Sequence, residues 1–360
     1  RTVKLWDRQG RELQTLSGHT GRGLSVSFSP DGQTIATASG DRTVKLWERQ
    51  GRELKTLLGH TDGVWNASFS PDGQTIATAS IDSTVKLWDR QGKEIRTLAG
   101  HTDVVNSVSF SPGGQTIATA SYDRTVKLWD RQGRELETFA GHAGGVWNAS
   151  FSPDGQTIAT ASIDRTAKLW DRQGRELKTL AGHTDRVISV SFSPDGQIIA
   201  TASVDSTVKL WDRQGKELQT LSGHTGVVNN VSFSPDGQII ATVSSDSTVK
   251  LWDRQGKELQ TLSGHMNWVN SVSFSPDGEI IATASYDRTT ILWDFDLENL
   301  IAKSCGWLKD YMANPATPPE DKALCKDVLP PSQVSAASTQ LSLASQLQGF
   351  WSGIQVWLKG

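Results

Sequence analysis

"GHTDRVISVSFSPDGQIIATASVDSTVKLWD", residues 182–212, reads as a chain of short strands and tight turns. "VSFSPDGQIIATAS" is two alternating apolar runs around Pro194-Asp195-Gly196. Pro presets φ, Asp bonds its own backbone, and Gly accepts positive φ, so the three make a hairpin turn. "TVKLWD", "RQG" and "KELQTL" (207–221) make a second hairpin. The unit therefore has four strands and no helix signal, and it cannot bury a face by itself.

The unit recurs. Trp6, Trp47, Trp88, Trp129, Trp170, Trp211, Trp252 and Trp293 stand 41 residues apart. His19, His60, His101, His142, His183, His224 and His265 keep the same interval and account for all 7 histidines of the 360-residue chain. A four-stranded repeat of this length, stacked many times, fits the blade of a β-propeller. Residues 1–294 closely resemble the WD-repeat β-propellers, on the GH and WD signatures and the strand pattern between them. The near-identity of the copies is similar to that of highly repetitive bacterial, cyanobacterial-type WD-repeat proteins with a C-terminal helical tail.

The expected architecture is all-β: a seven-bladed propeller of four-stranded antiparallel blades with a short C-terminal α-helical extension. Blades fall near 18–58, 59–99, 100–140, 141–181, 182–222, 223–263 and 264–294. The last lacks an outer strand, which 11–16 ("RELQTL") can supply, closing the ring and removing exposed sheet edges. An eighth blade would need two more strands, for which no convincing sequence exists. Arg1 stands inside a motif, so the chain reads as a piece of a longer one. After the propeller, Leu297, Ile301, Cys305, Leu308 and Met312 fall at helical spacing, and a second helix starts at "TPPE" (317–320). This predicts a helical hairpin over 295–330. It places Cys305 and Cys325 inward, as free thiols or as a disulfide. Residues 331–349 read as a flexible linker, and 350–358 are apolar enough to dock.

Each unit also sets His, Ser and Asp at fixed spacing: His142, Ser162 and Asp164, or His183, Ser203 and Asp205. A catalytic triad is one reading. Against it, a catalytic set is needed once, and this one occurs seven times with Ser inside a strand. The WD-repeat resemblance implies instead a structural tetrad with Trp170 or Trp211. No catalytic residue, metal ligand or cofactor is assigned, and the expectation is a protein that is not an enzyme.

The copies differ at three positions per unit: three and five residues after the His, and just before the tetrad Asp. These hold Trp65, Trp147, Trp268, Tyr122, Tyr286, Ile81, Ile163, Ile188, Leu24, Arg22 and Arg186. Every Trp of the propeller outside the WD position is among them. All three positions should lie on one rim, opposite a solvated face of "SPDG" and "DRQG" turns. Clustered exposed aromatics mark interaction sites, so the rim is the expected surface for a protein or peptide. Drift between duplicates, with the Trp rings half-buried, is the plainer reading. Units two and four indeed share "GVWNASFSPDGQTIATASID". A carbohydrate stacked on Trp65 and Trp147 is the alternative ligand. A net charge of −3 offers no basic excess for nucleic acid, and no apolar run is long enough to span a membrane. A cytoplasmic setting is expected.

Overall fold

The computed structural model describes residues 15–294. The expected helical hairpin, the segment 331–360, residues 11–14 of the closing strand and the state of Cys305 and Cys325 lie outside the described residues.

Seven four-stranded antiparallel sheets are present among the described residues. The fourth is typical: Val146–Phe151, Thr157–Ser162, Thr166–Asp171 and Glu176–Ala181 pair in chain order. The seventh is completed as expected. Val269–Phe274, Ile280–Ser285 and Thr290–Asp294 are joined by Thr15–Leu16, with Thr15 opposite Ile291 and Leu16 opposite Thr290.

Burial falls from the second strand outward. In Thr157–Ser162 five of six residues are buried, whereas in Glu176–Ala181 only Leu180 is. The reason lies in the sequence. "IATAS" offers small side chains on both faces, so neighbouring sheets approach closely, and the bulk is supplied by the next blade. Ala159, Ala161, Leu169 and Leu180 of one blade pack against Val187, Val190, Phe192, Ile199 and Trp211 of the next. The core is thus a set of contacts between blades, and no blade carries one alone.

Two turn types hold opposite ends. At the Pro-Asp-Gly turn Ser152 Oγ donates to Asp154 (2.5 Å), Thr157 N–H donates to Ser152 Oγ (2.9 Å), and Gly155 takes φ +66°. Arg213 of the following blade donates to Asp154 at 2.7 Å. The hydrogen bonds from Arg213 and Ser152 hold the Asp154 carboxyl at about 2. At the other end, the residue after each tetrad Asp adopts a left-handed backbone without being Gly, as in Arg165 (φ 72°) and Ser206 (φ 69°). The rim turns therefore hold mild backbone strain seven times.

Candidate functional site

The repeated polar set comes first, because it decides between chemistry and frame. Trp170 Nε1–H donates to Thr160 Oγ1 at 2.8 Å, Thr160 Oγ1 lies 2.7 Å from His142 Nε2, and His142 Nδ1 lies 2.8 Å from Asp164 Oδ2. The next blade repeats this with Trp211, Thr201, His183 and Asp205, at 2.8 Å for each of the three bonds. The hydroxyl in the relay is therefore threonine. The expectation of Ser162 and Ser203 is corrected. Ser162 Oγ donates to the Gly144 carbonyl (3.1 Å) and accepts from Asp164 N–H (3.1 Å). Ser203 does the same with the Asp185 carbonyl and Asp205 N–H. Each Ser ties the turn at the strand's end, out of reach of the imidazole relay.

Proton positions follow from the partners. Asp164 can only accept, so His142 Nδ1 carries hydrogen. A neutral imidazole then accepts at Nε2 from the Thr160 hydroxyl, whose oxygen accepts from the indole. Burial favours the neutral form: it pushes His183 below its ordinary value against the pull of Asp205. Burial also works to raise Asp164, but hydrogen bonds from His142 and Thr166 prevail and hold its carboxyl well below the usual range. Thr160 and Ser162 are both fully buried. No nucleophile in this set faces solvent, so the arrangement is a clamp between loop and strands.

The variable positions do share one end of the ring. In the second, third, fourth and seventh blades the residue before the tetrad Asp donates its N–H to the first variable position: Ile81 to Gly63, Tyr122 to Val104, Ile163 to Gly145, Tyr286 to Trp268, at 2.8–3.0 Å. The middle variable position has a feature that the sequence did not announce. In every blade the innermost strand skips one residue of register there, as between Val146 and Asn148. Trp147 is that bulged residue, and Trp65, Asn106, Ile188, Asn229, Asn270 and Leu24 are its equivalents. A bulge re-aims its side chain out of the ladder, which frees this position to vary.

Two aromatic clusters result. Trp147 meets Trp65 at 5.9 Å and Tyr122 at 5.4 Å between ring centroids, both edge-on. Across the ring, Trp268 stacks on Tyr286 at 5.3 Å, and the Arg22 guanidinium lies 4.6 Å from the Tyr286 ring centre. Trp268 is half exposed (49%), Trp65, Trp147, Tyr122, Tyr286, Ile81 and Ile163 are half-buried, and Arg22 and Arg186 are exposed. Ile188 and Leu24 are corrected: each is only 8% exposed, because at the bulge an aliphatic side chain folds into the core. Met266, 89% exposed beside Trp268, was missed; its place one residue after His265 is the signal for it.

Below the rim runs a central channel of about 220 Å³, lined by Ser and Asn of the innermost strands. Directly after the bulge, Asn66, Asn148 and Asn230 alternate with serines around the ring. Asn148 Nδ2 donates to Ser107 Oγ of the preceding blade (3.1 Å), and its Oδ1 accepts from Val190 N–H of the following one (3.3 Å). Asn66 bridges Ser25 and Val108 likewise, both at 3.2 Å. This belt is structural.

Comparison with known proteins agrees with the geometry. No curated protein matches the chain closely enough to count as a relative. The model of the IFT122 first beta-propeller matches residues 1–253, and that of the WD domain, G-beta repeat, matches residues 256–294. WD40 propellers are generally non-catalytic scaffolds that bind proteins. With seven four-stranded blades, a Trp-Thr-His-Asp clamp in each, and a family match over more than two thirds of its length, the chain belongs to the WD40-repeat β-propellers, of the IFT122 first-propeller type.

Proposed function

We propose that the chain is a non-enzymatic interaction module that binds a protein or peptide on the rim bearing Trp65, Trp147, Tyr122, Trp268 and Tyr286. One observation carries this reading. The frame residues repeat almost without change, whereas aromatic side chains gather at the bulged positions and their neighbours, on one end of the ring. Partly exposed Trp and Tyr with nearby Arg supply large contact area and are the residue types that dominate binding energy. Among the described residues, the opposite end repeats the same polar turns, most of them ion-paired, and offers no such cluster. A sensor or scaffold role within a longer bacterial signalling chain, in the cytoplasm and without nucleic acid as partner, belongs to the same proposal.

Carbohydrate binding is the second reading, on the strength of Trp65 and Trp147. Trp65 and Trp147 pack edge-on against each other, which leaves less free ring face for a sugar than two rings standing apart.

The test is retention of the native partner by purified full chain. A double Trp65→Ala, Trp147→Ala variant and a Trp268→Ala variant should each lose it by at least about tenfold in Kd, whereas Gln156→Ala on the opposite end should not. Retention by both rim variants, or loss only with Gln156→Ala, overturns the proposal. Glycan binding abolished by Trp147→Ala would replace it with the carbohydrate reading.

A further inference from the structure

Asn106, Asn229 and Asn270 occupy the same bulged position in three blades. Each donates Nδ2–H to the backbone carbonyl that opens the next blade: Asn106 to Val146 (3.0 Å), Asn229 to Val269 (2.8 Å), Asn270 to Gly23 (2.8 Å). That bond fixes the amide's orientation, since a flipped amide would set two oxygens against each other. Asn229 and Asn270 remain half-buried, and neither Oδ1 is among the buried side-chain atoms left without a partner. Asn106 is only 7% exposed, and among the described residues its Oδ1 is a buried side-chain atom with no hydrogen-bond donor. Its flanks differ from those of the other two. Only Asn106 has Trp at the equivalent position of both neighbouring blades, and those rings, Trp65 and Trp147, touch across it. Tyr122 of its own blade closes the side by packing on Trp147.

An acceptor under an aromatic cover selects its ligand. Trp65, Trp147 and Tyr122 carry no formal charge, so a cation entering there would have only ring faces and one amide oxygen to offset its desolvation. A purely apolar group would leave the oxygen unpaired. A flat ring carrying one O–H or N–H satisfies both demands. We infer that the Trp65–Trp147 pair covers a pocket in which Asn106 Oδ1 accepts a hydrogen bond from a tyrosine or tryptophan side chain of a partner peptide. The inference rests on the rim reading above and names its anchor. Entry requires the two indoles to part.

The probes are p-cresol and toluene, which differ by one hydroxyl, with N-acetyl-argininamide as the cationic competitor. Binding to full-length chain is read by ¹⁹F resonances of 5-fluorotryptophan. In the wild type p-cresol should shift resonances assigned to Trp65 and Trp147 and bind about tenfold tighter than toluene, with N-acetyl-argininamide weaker than p-cresol. In Asn106→Leu, with folding checked by thermal melting, that preference should vanish. Equal binding of p-cresol and toluene, no binding, a preference that survives Asn106→Leu, or tighter binding of the arginine compound each overturns the inference. The wild-type comparison alone decides should Asn106→Leu fail to fold. A native partner lost with Trp147→Ala but retained with Asn106→Leu would sink this pocket and leave the rim reading standing.

Discussion

The relay in each blade has one direction, and this gives its residues unequal weight. Thr160 both accepts from Trp170 and donates to His142. Thr160→Val keeps the shape and orphans two buried polar groups, so it should cost about 2–3 kcal/mol in urea unfolding. Ser162→Ala removes only local turn bonds and should cost about 1 kcal/mol; equal costs would argue against threonine as the bridging hydroxyl. The relay also sets a pH dependence. Burial lowers His60, His183 and His224 below their ordinary values. The unfolded chain therefore takes up protons first as pH falls, and stability begins to drop below about 6.5. The carboxylates add a second loss. Burial opposes it, but hydrogen bonds from Thr248 and His224 hold Asp246 at about 2, so its contribution fades from about pH 4 down to 2. Melting temperature should be level above pH 7 and fall in two stages; a rise on acidification to pH 5 would refute this. The His, Asp and Trp of the relay were legible from their period together with the WD-repeat resemblance. The hydroxyl was not, because Thr160 and Ser162 alternate onto the same face of one strand. Register separates them. Ile158 is opposite Trp170, so Thr160 is a diagonal neighbour within reach, whereas Ser162 lies four residues on, roughly 13 Å along the strand.

At the scale of the turn, the junction of the third and fourth blades departs from the pattern. Arg90, Arg131, Arg213 and Arg254 each donate to the turn Asp of the preceding blade, Asp31, Asp72, Asp154 and Asp195, at 2.7–2.8 Å. Arg172 has no such carboxylate, because its partner position is Gly113, and it bonds Thr116 Oγ1 at 2.8 Å instead. A Cβ on Gly113 would meet nothing within 4 Å, and Gly113 is absent from the positive-φ glycines. Gly113→Asp should therefore restore both the local turn bonds and the ion pair. Together with the lost freedom of glycine in the unfolded chain, the gain should be about 1 kcal/mol, part of it lost at high salt. A neutral or lower melting temperature would show that the inter-blade pairs contribute nothing. The turn was fully readable from "SPDG". The bulge at Trp147 was not, since one skipped register leaves no mark on residue type beyond a tolerance for anything from Leu24 to Trp147. The rim was found through that tolerance, and Ile188 was misplaced because tolerance does not say which side chains fold inward.

The whole ring depends on a join that the chain makes only once. Six blades hold their outer strand by continuity through a turn, whereas the seventh takes Thr15–Leu16 from the far end of the sequence. Leu16 is 3% exposed and packs in the cluster with Ile291, Leu292 and Trp293. It corresponds to Leu180 of the fourth blade, which is 1% exposed in an equivalent cluster. On the rim-distal end Arg49 reinforces the same junction. It reaches Asp277 at 2.6 Å and Glu279 at 3.1 Å, two carboxylates where Arg90, Arg131, Arg213 and Arg254 each have one. Leu16→Ala and Leu180→Ala remove the same atoms from similar cores, so each should cost about 2–5 kcal/mol globally. Their local consequences should differ. In the fourth blade the turn keeps the outer strand in place after the cavity forms. In the seventh, loss of Leu16 frees Thr290–Asp294 as an open edge, and the closure is then held on its inner side by the contacts of Val269–Phe274 and Ile280–Ser285 with Gly23–Phe28. Native-state hydrogen exchange checks this: Leu16→Ala should speed exchange in Ile280–Asp294 well beyond the global change, whereas Leu180→Ala should leave Thr157–Asp171 exchanging only through global unfolding. Matching local patterns in the two variants would mean that the ring is held by inter-blade packing alone, with the closing strand contributing no more than its side chain.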